Sequence, residues 1–145
     1  MAEALAAFGL AANIVQFIDI GSRLVSTIWG IYNQYQDATR DLLELEMAVK
    51  RLDSILPTLA QTPEDSGESS ESERCLRELA QHCCMLATEM LNTLHQVLDP
   101  GKARKRDAVR QALRIIWKED EIKSQQTRLK EYKHQPTLLL LATLR

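Results

Sequence analysis

Glycine and proline are scarce in this 145-residue chain, with five and four copies, and the aromatic residues amount to only 5%. So little turn-forming material argues against a many-stranded β architecture, which needs a turn every few residues. Cysteine is nearly absent too. Cys75, Cys83 and Cys84 cannot all pair within one chain, and no basic segment precedes the first apolar run as a signal peptide would require. A reduced compartment and small apolar packing roles for the thiols follow. For a metal, His82 beside Cys83 is the one nearby ligand pair, and no pairs recur at zinc spacings.

Catalytic signatures are missing as well. There is no GxGxxG, no GxxxxGK[ST] and no HExxH, and Gly101-Lys102 has no glycine five positions earlier. His82, His95 and His134 are scattered, and Glu119, Asp120 and Glu121 are consecutive, so on a helix they splay apart. Nothing nominates a nucleophile or an acid–base pair, and no enzymatic activity and no cofactor are expected. A net charge of −2 excludes a polycationic nucleic-acid binder over the chain as a whole.

What is present is helix composition: 45% hydrophobic and 26% charged residues, rich in Leu and Ala. Ala4 to Ile18 is a charge-free run of fifteen residues. Leu5, Phe8, Ala12 and Val15 mark one helical face, and Ala7, Ala11, Ile14 and Ile18 the adjacent one. A helix apolar nearly all round belongs in a protein core or in lipid. Fifteen residues rise about 22 Å, short of the roughly 30 Å of bilayer hydrocarbon, which disfavours a constitutive span. The apolar pattern resumes after Gly21 with Leu24, Val25, Ile28, Trp29, Ile31, Tyr32 and Tyr35.

From Asp37 to Ala60, Leu42, Leu45, Val49, Leu52, Leu56 and Leu59 recur at spacings of three and four, the seam of a bundle helix. Pro57 predicts a kinked or frayed last turn. Residues 61–73, QTPEDSGESSESE, read as a long acidic loop. A third helix is predicted from Glu73 to Asp99 on Leu76, Leu79, Cys83, Leu86, Met90, Leu94 and Val97, stopped by Asp99-Pro100-Gly101. A fourth runs from Lys102 to Trp117 with Val109, Leu113, Ile116 and Trp117 inward. A last one starts at Glu119 or Asp120, passes Ile122, Leu129 and Tyr132, and is interrupted by Pro136; the apolar end, Leu138 to Leu144, follows. The expectation is an all-α, antiparallel bundle of four to five main helices forming one domain over 1–145.

The sharpest charge feature is the stretch from Lys102 to Lys118, with seven basic residues against the single acid Asp107. Arg106, Arg110, Arg114 and Lys118 stand four apart and make one stripe on a helix. Three roles fit such a stripe. It can be a solvated outer face offsetting the acidic loop. It can dock anionic lipid headgroups, at about 1 kcal/mol per cation near the surface. It can bind nucleic acid, which the lack of interleaved aromatics opposes.

The opening MAEALAAFGLAANIVQFIDIGSRLVSTIWGIY, the middle LRELAQHCCMLATEMLNTL (76–94) and the end ALRIIWKEDEIKSQQTRLKEYKHQPTLLLLATLR (112–145) resemble the N-terminal domains of fungal STAND proteins. These are HeLo-like domains that precede NACHT or NB-ARC modules in NLR-like receptors. Pro136 departs from the family pattern. The resemblance implies a helical bundle at the N-terminus of a longer receptor, acting in programmed cell death, heterokaryon incompatibility and innate immunity. It is similar in architecture to the executioner bundle of mammalian necroptosis and the coiled-coil domains of plant immune receptors. The implied mechanism is that oligomerisation exposes a hydrophobic N-terminal helix, which permeabilises the plasma membrane. Carried over, that role falls on Leu5, Phe8, Leu10, Ile14, Val15, Phe17 and Ile18. The implied partners are further copies of the chain, anionic membrane lipids met by the Arg106, Arg110, Arg114 and Lys118 stripe, and a NACHT or NB-ARC module in cis, with no nucleic acid. The implied location is cytoplasmic, with recruitment to the plasma membrane. The alternative is an oligomerisation or adaptor domain with no membrane activity.

Overall fold

The computed structural model describes residues 2–33, 38–60, 71–98 and 116–143, with side chains placed for 8–33, 43–60, 71–98, 116–139 and 141. Among the described residues it is an all-α bundle of four helices, with no strand. The helices are α1 (Ala2–Tyr32), α2 (Ala38–Ala60), α3 (Glu71–Val97) and α4 (Glu119–Thr143). Packing runs α1 to α2 to α3 to α4 and back to α1, and α1 also meets α3 across the centre. The antiparallel sense is visible in the side-chain pairings. Thr27 of α1 lies 3.1 Å from Glu44 Oε2 of α2. On the opposite side, Glu89 and His82 of α3 face Arg128 and Tyr132 of α4, so one number falls as the other rises. The predicted helix over Lys102–Trp117 lies outside the described residues except for its end, Ile116 and Trp117.

α1 is one continuous helix, and Gly21 does not interrupt it. Its inner face is Leu10, Ile14, Phe17, Gly21, Leu24, Val25 and Ile28, flanked by Ala11, Ile18 and Ile20. Gly21 costs helix propensity, about 1 kcal/mol relative to alanine. The reason for it is close packing: a Cβ there would stand 3.1 Å from Leu129 Cδ2 of α4 and 3.8 Å from Met90 Cε of α3. The helix ends where Asn33 turns both its backbone N–H and its Nδ2 onto the Trp29 carbonyl, each at 3.0 Å, as asparagine commonly does at a helix C-terminus.

In α2 the buried seam is Leu45, Ala48, Leu52, Ile55 and Leu59, while Val49 and Leu56 are half-buried. The seam thus contains Ala48 and Ile55 in place of their larger or equal neighbours one position on. Pro57 sits on the exposed side and the helix continues to Ala60. α3 buries every position of the predicted pattern from Leu76 to Val97. It starts at Glu71, two residues earlier than predicted, so residues 71–73 of the expected acidic loop are helical. Glu71 and Glu73 in the first turn face the positive end of the helix dipole, which favours that extension. Residues 61–70 lie outside the described residues.

The expectation that Pro136 interrupts the last helix is overturned: α4 runs through it from Glu119 to Thr143. Its inward stripe is Ile122, Gln125, Leu129, Tyr132, Pro136 and Leu139, at spacings of three and four. Pro136 occupies a buried position in that register, so packing compensates for the lost N–H to the Tyr132 carbonyl, a loss of about 3 kcal/mol in an isolated helix. The start is well determined: Ile122 N–H donates to the Lys118 carbonyl at 3.1 Å, and Lys123 pairs with Glu119 at 3.1 Å. Trp117, at the bend before α4, is 1% exposed; its Nε1 and the Oε1 of Gln125 are buried without a hydrogen-bond partner among the described residues.

Two glycine substitutions in α1 separate packing from propensity. Gly9 has open space around it, so Gly9→Ala raises stability by about 0.5–1 kcal/mol. Gly21→Val lowers it by about 1–3 kcal/mol, because the branched side chain displaces Leu129. Chemical denaturation of both variants checks this; a neutral Gly21→Val would contradict the close packing.

Candidate functional site

The residues assigned to a membrane-active helix divide sharply by burial. Leu10, Ile14, Phe17 and Ile18 are core, with Ile14 and Phe17 at 0% exposure. Phe8 and Val15 are 54% and 49% exposed and stand on the outer face of α1 with Ala12. The side chain of Leu5 lies outside the described residues. α1 therefore presents a short apolar strip outward at its amino-terminal half and the bulk of its large side chains inward. Further along, the outer face turns polar with Asp19, Ser22, Arg23 and Ser26. Asp19 and Arg23 pair at 3.6 Å, four residues apart and well exposed, an arrangement of small energetic value in water.

The stretch Phe8–Tyr32 is long and apolar enough to cross a membrane by length and composition, and half of it is buried in the bundle. Its 25 residues rise about 37 Å. The unbroken helix through Gly21 thus removes the length objection that the charge-free fifteen residues raise. Core helices of water-soluble bundles share these properties.

Of the basic stripe, Lys118 is exposed at the bend before α4, and Arg106, Arg110 and Arg114 lie outside the described residues. Other large apolar side chains stand exposed on three helices: Leu43 and Met47 on α2, Met85 on α3, and Leu138 and Leu141 on α4. The leucine-rich end is therefore split, with Leu139 packed on the core and its neighbour Leu138 outward.

A polar groove of about 470 Å³ lies between α1 and α2, which no motif in the sequence indicated. Asn13, Gln16, Asp19, Ile20 and Arg23 line it from α1, and Lys50, Arg51, Ser54, Ile55 and Thr58 from α2. Its advance signal is the polar edge Asn13/Gln16 within the charge-free run, continued by Asp19 and Arg23; which helix would face that edge is a tertiary fact.

No group of three or more His, Cys, Asp or Glu able to hold a metal occurs among the described residues. Cys83 is fully buried, and burial, with Cys84 adjacent, pushes its thiol up to about 12. The Tyr132 hydroxyl is raised too, by burial first and then by Cys83. Neither group supplies a nucleophile near neutral pH. Comparison of the chain with protein-family models, with curated proteins and with solved structures finds no match in any of the three.

The thiols give a direct check on this packing. In native protein at pH 8, iodoacetamide labels half-buried Cys75 and Cys84, and Cys83 reacts roughly a hundredfold more slowly until denaturant is added. Peptide mass spectrometry reads the three sites; equal rates at Cys83 and Cys84 would show that α3 is not seated as described.

Proposed function

We propose that this domain is a HeLo-like cell-death effector and signalling domain of a fungal NLR-like receptor, acting by oligomerisation-triggered exposure of α1 and permeabilisation of the plasma membrane. The observation that carries the reading is the double character of α1. It is long and apolar enough to span a bilayer, yet its inner face is the centre of the bundle, packed on all three other helices. The resemblance of residues 1–32 and 112–145 to STAND N-terminal domains supports the same reading.

The energetics define how such a device must work. Leu10, Ile14, Phe17, Ile18, Ile20, Leu24, Val25 and Ile28 are all buried, each worth about 1.5–3 kcal/mol of burial. Their gross burial, about 12–24 kcal/mol together, is as large as the roughly 5–15 kcal/mol of net stability that holds a whole domain folded. α1 therefore does not leave a single bundle in water. Release needs lipid to receive the same side chains, and several copies held together by a NACHT or NB-ARC module in cis. Asp19 and Arg23, one turn apart, would enter as a neutral pair, which reduces the penalty on charge in hydrocarbon. Phe8 and Val15 make the first contact, since they are already outward, and Lys118 with the Arg106, Arg110 and Arg114 stripe faces anionic headgroups. The resting protein is cytoplasmic on this reading and reaches the plasma membrane on activation.

A second reading, an oligomerisation or adaptor domain without membrane activity, is favoured by the exposed Leu43, Met47, Leu138 and Leu141. These belong to α2 and α4, outside α1, and suit contact with another protein surface.

Dye release from vesicles containing anionic lipid separates the two. Ile14→Glu is uninformative, because a charge at a fully buried site unfolds the bundle. Phe8→Glu/Val15→Glu changes exposed positions, alters stability by about 0.5 kcal/mol or less per site, and lowers leakage at least tenfold. Leakage that ignores this double variant contradicts the role of α1; self-association with no leakage by the wild-type chain favours the adaptor reading.

A further inference from the structure

The groove between α1 and α2 is lined by other residues than the apolar strip and the basic stripe, and its chemistry is distinct. Three cations line it, Arg23 from α1 and Lys50 and Arg51 from α2, against one carboxylate, Asp19. Asp19 is taken up by Arg23 at 3.6 Å. Lys50 and Arg51 have no anionic partner among the described residues. The described lining residues so carry a net charge of about +2, three cations against one carboxylate. Its floor is apolar: Ile20 and Ile55 are 8% and 4% exposed. Low-dielectric walls of that kind concentrate the field of the surrounding cations.

Neutral donors complete the lining. The amides of Asn13 and Gln16 and the hydroxyl of Ser54 face the same space, while the Thr58 hydroxyl is spent on the Ile55 carbonyl. A planar carboxylate offers two oxygens and one charge. A phosphomonoester offers three terminal oxygens and −1.5 to −2 charge at pH 7, which matches the charge of the groove and gives its several donors more than one oxygen to meet. Guanidinium groups favour such oxyanions through paired N–H donors. The volume, about 470 Å³, lies within the range of small-ligand sites.

We propose that the α1–α2 groove is a binding site for a phosphomonoester group, held by Lys50 and Arg51 with Arg23 and Ser54. The ligand straddles the two helices whose separation any release of α1 requires, so occupancy fastens α1 to α2. The site stands independently of the cell-death reading, since a bundle of any function with this groove would bind the same group.

The test uses the 145-residue chain and glycerol 3-phosphate, followed by amide chemical shifts at constant ionic strength. Saturable shifts centred on Arg23, Lys50, Arg51 and Ser54 are expected, with at least tenfold weaker binding in Lys50→Gln/Arg51→Gln and binding retained in Lys50→Arg. Both variants alter exposed side chains, and an unchanged melting temperature confirms the fold. Sodium acetate at the same ionic strength produces no saturable shift. Vesicles containing phosphatidic acid carry the same group on a lipid: sedimentation that needs Lys50 and Arg51 and is competed by glycerol 3-phosphate assigns the headgroup as the source. Sedimentation that ignores the variant, or no sedimentation, assigns a soluble phosphate ester. Non-saturable shifts, equal shifts with acetate, or wild-type affinity in the double variant would overturn the site.

Discussion

The constraint on which everything else rests is the placement of α1's inner face between three helices. Gly21 marks the tightest point, where the absence of a side chain admits Leu129 from α4 and Met90 from α3. Around it Ile14, Phe17, Leu24 and Ile28 are almost wholly withdrawn from water. A core built this way is shared, because α1 packs on α2, α3 and α4 within one contiguous cluster. Removing α1 would uncover its own face together with the faces of the helices it packs on, so the cost of exposure falls on the whole molecule.

That sharing gives the domain an all-or-none character. A small bundle with one contiguous core unfolds cooperatively, and the most apolar helix here is also the most connected. A bilayer is the one solvent that accepts the same side chains without the aqueous penalty. The proposed activity is therefore an exchange of environments at roughly constant burial, and a clustered state supplies what a single copy lacks: many α1 helices arriving at one place. The outward Phe8 and Val15 need no such exchange, and on the proposed activity they are the part of α1 that meets a membrane while the core is intact.

Much of the fold was legible from periodicity. α3 is a strongly amphipathic helix with one polar and one apolar side, and every position its pattern named from Leu76 to Val97 is buried, while the flanking Ala80, Ala87 and Leu91, also buried, fall outside the pattern. α1 was legible as a core helix but not in its orientation. Leu5/Phe8/Ala12/Val15 and Ala7/Ala11/Ile14/Ile18 are equally apolar, and only the positions of the other helices decide that Ile14 goes inward and Phe8 outward. Pro136 was misread because local propensity forbids it in a helix, whereas its place in the inward register of α4 is decided by packing. The start of α3 at Glu71 was missed because serine and glutamate resemble loop composition as well as a first helical turn. The groove was invisible for a simpler reason: Lys50 and Arg51 lie off the leucine seam of α2 and belong to no motif, and nothing along the chain says that Asn13 and Gln16 stand opposite.

The central claim, that α1 cannot part from its bundle in water short of global unfolding, is tested most directly by native-state hydrogen exchange along α1 as a function of denaturant. The account predicts that the amides from Ile14 to Ile28 exchange with the same opening free energy and the same denaturant dependence as the core of α3, Leu79 to Leu91. Exchange of α1 through a separate, cheaper opening while α3 remains protected would show that the helix is already detachable, and would contradict the shared core.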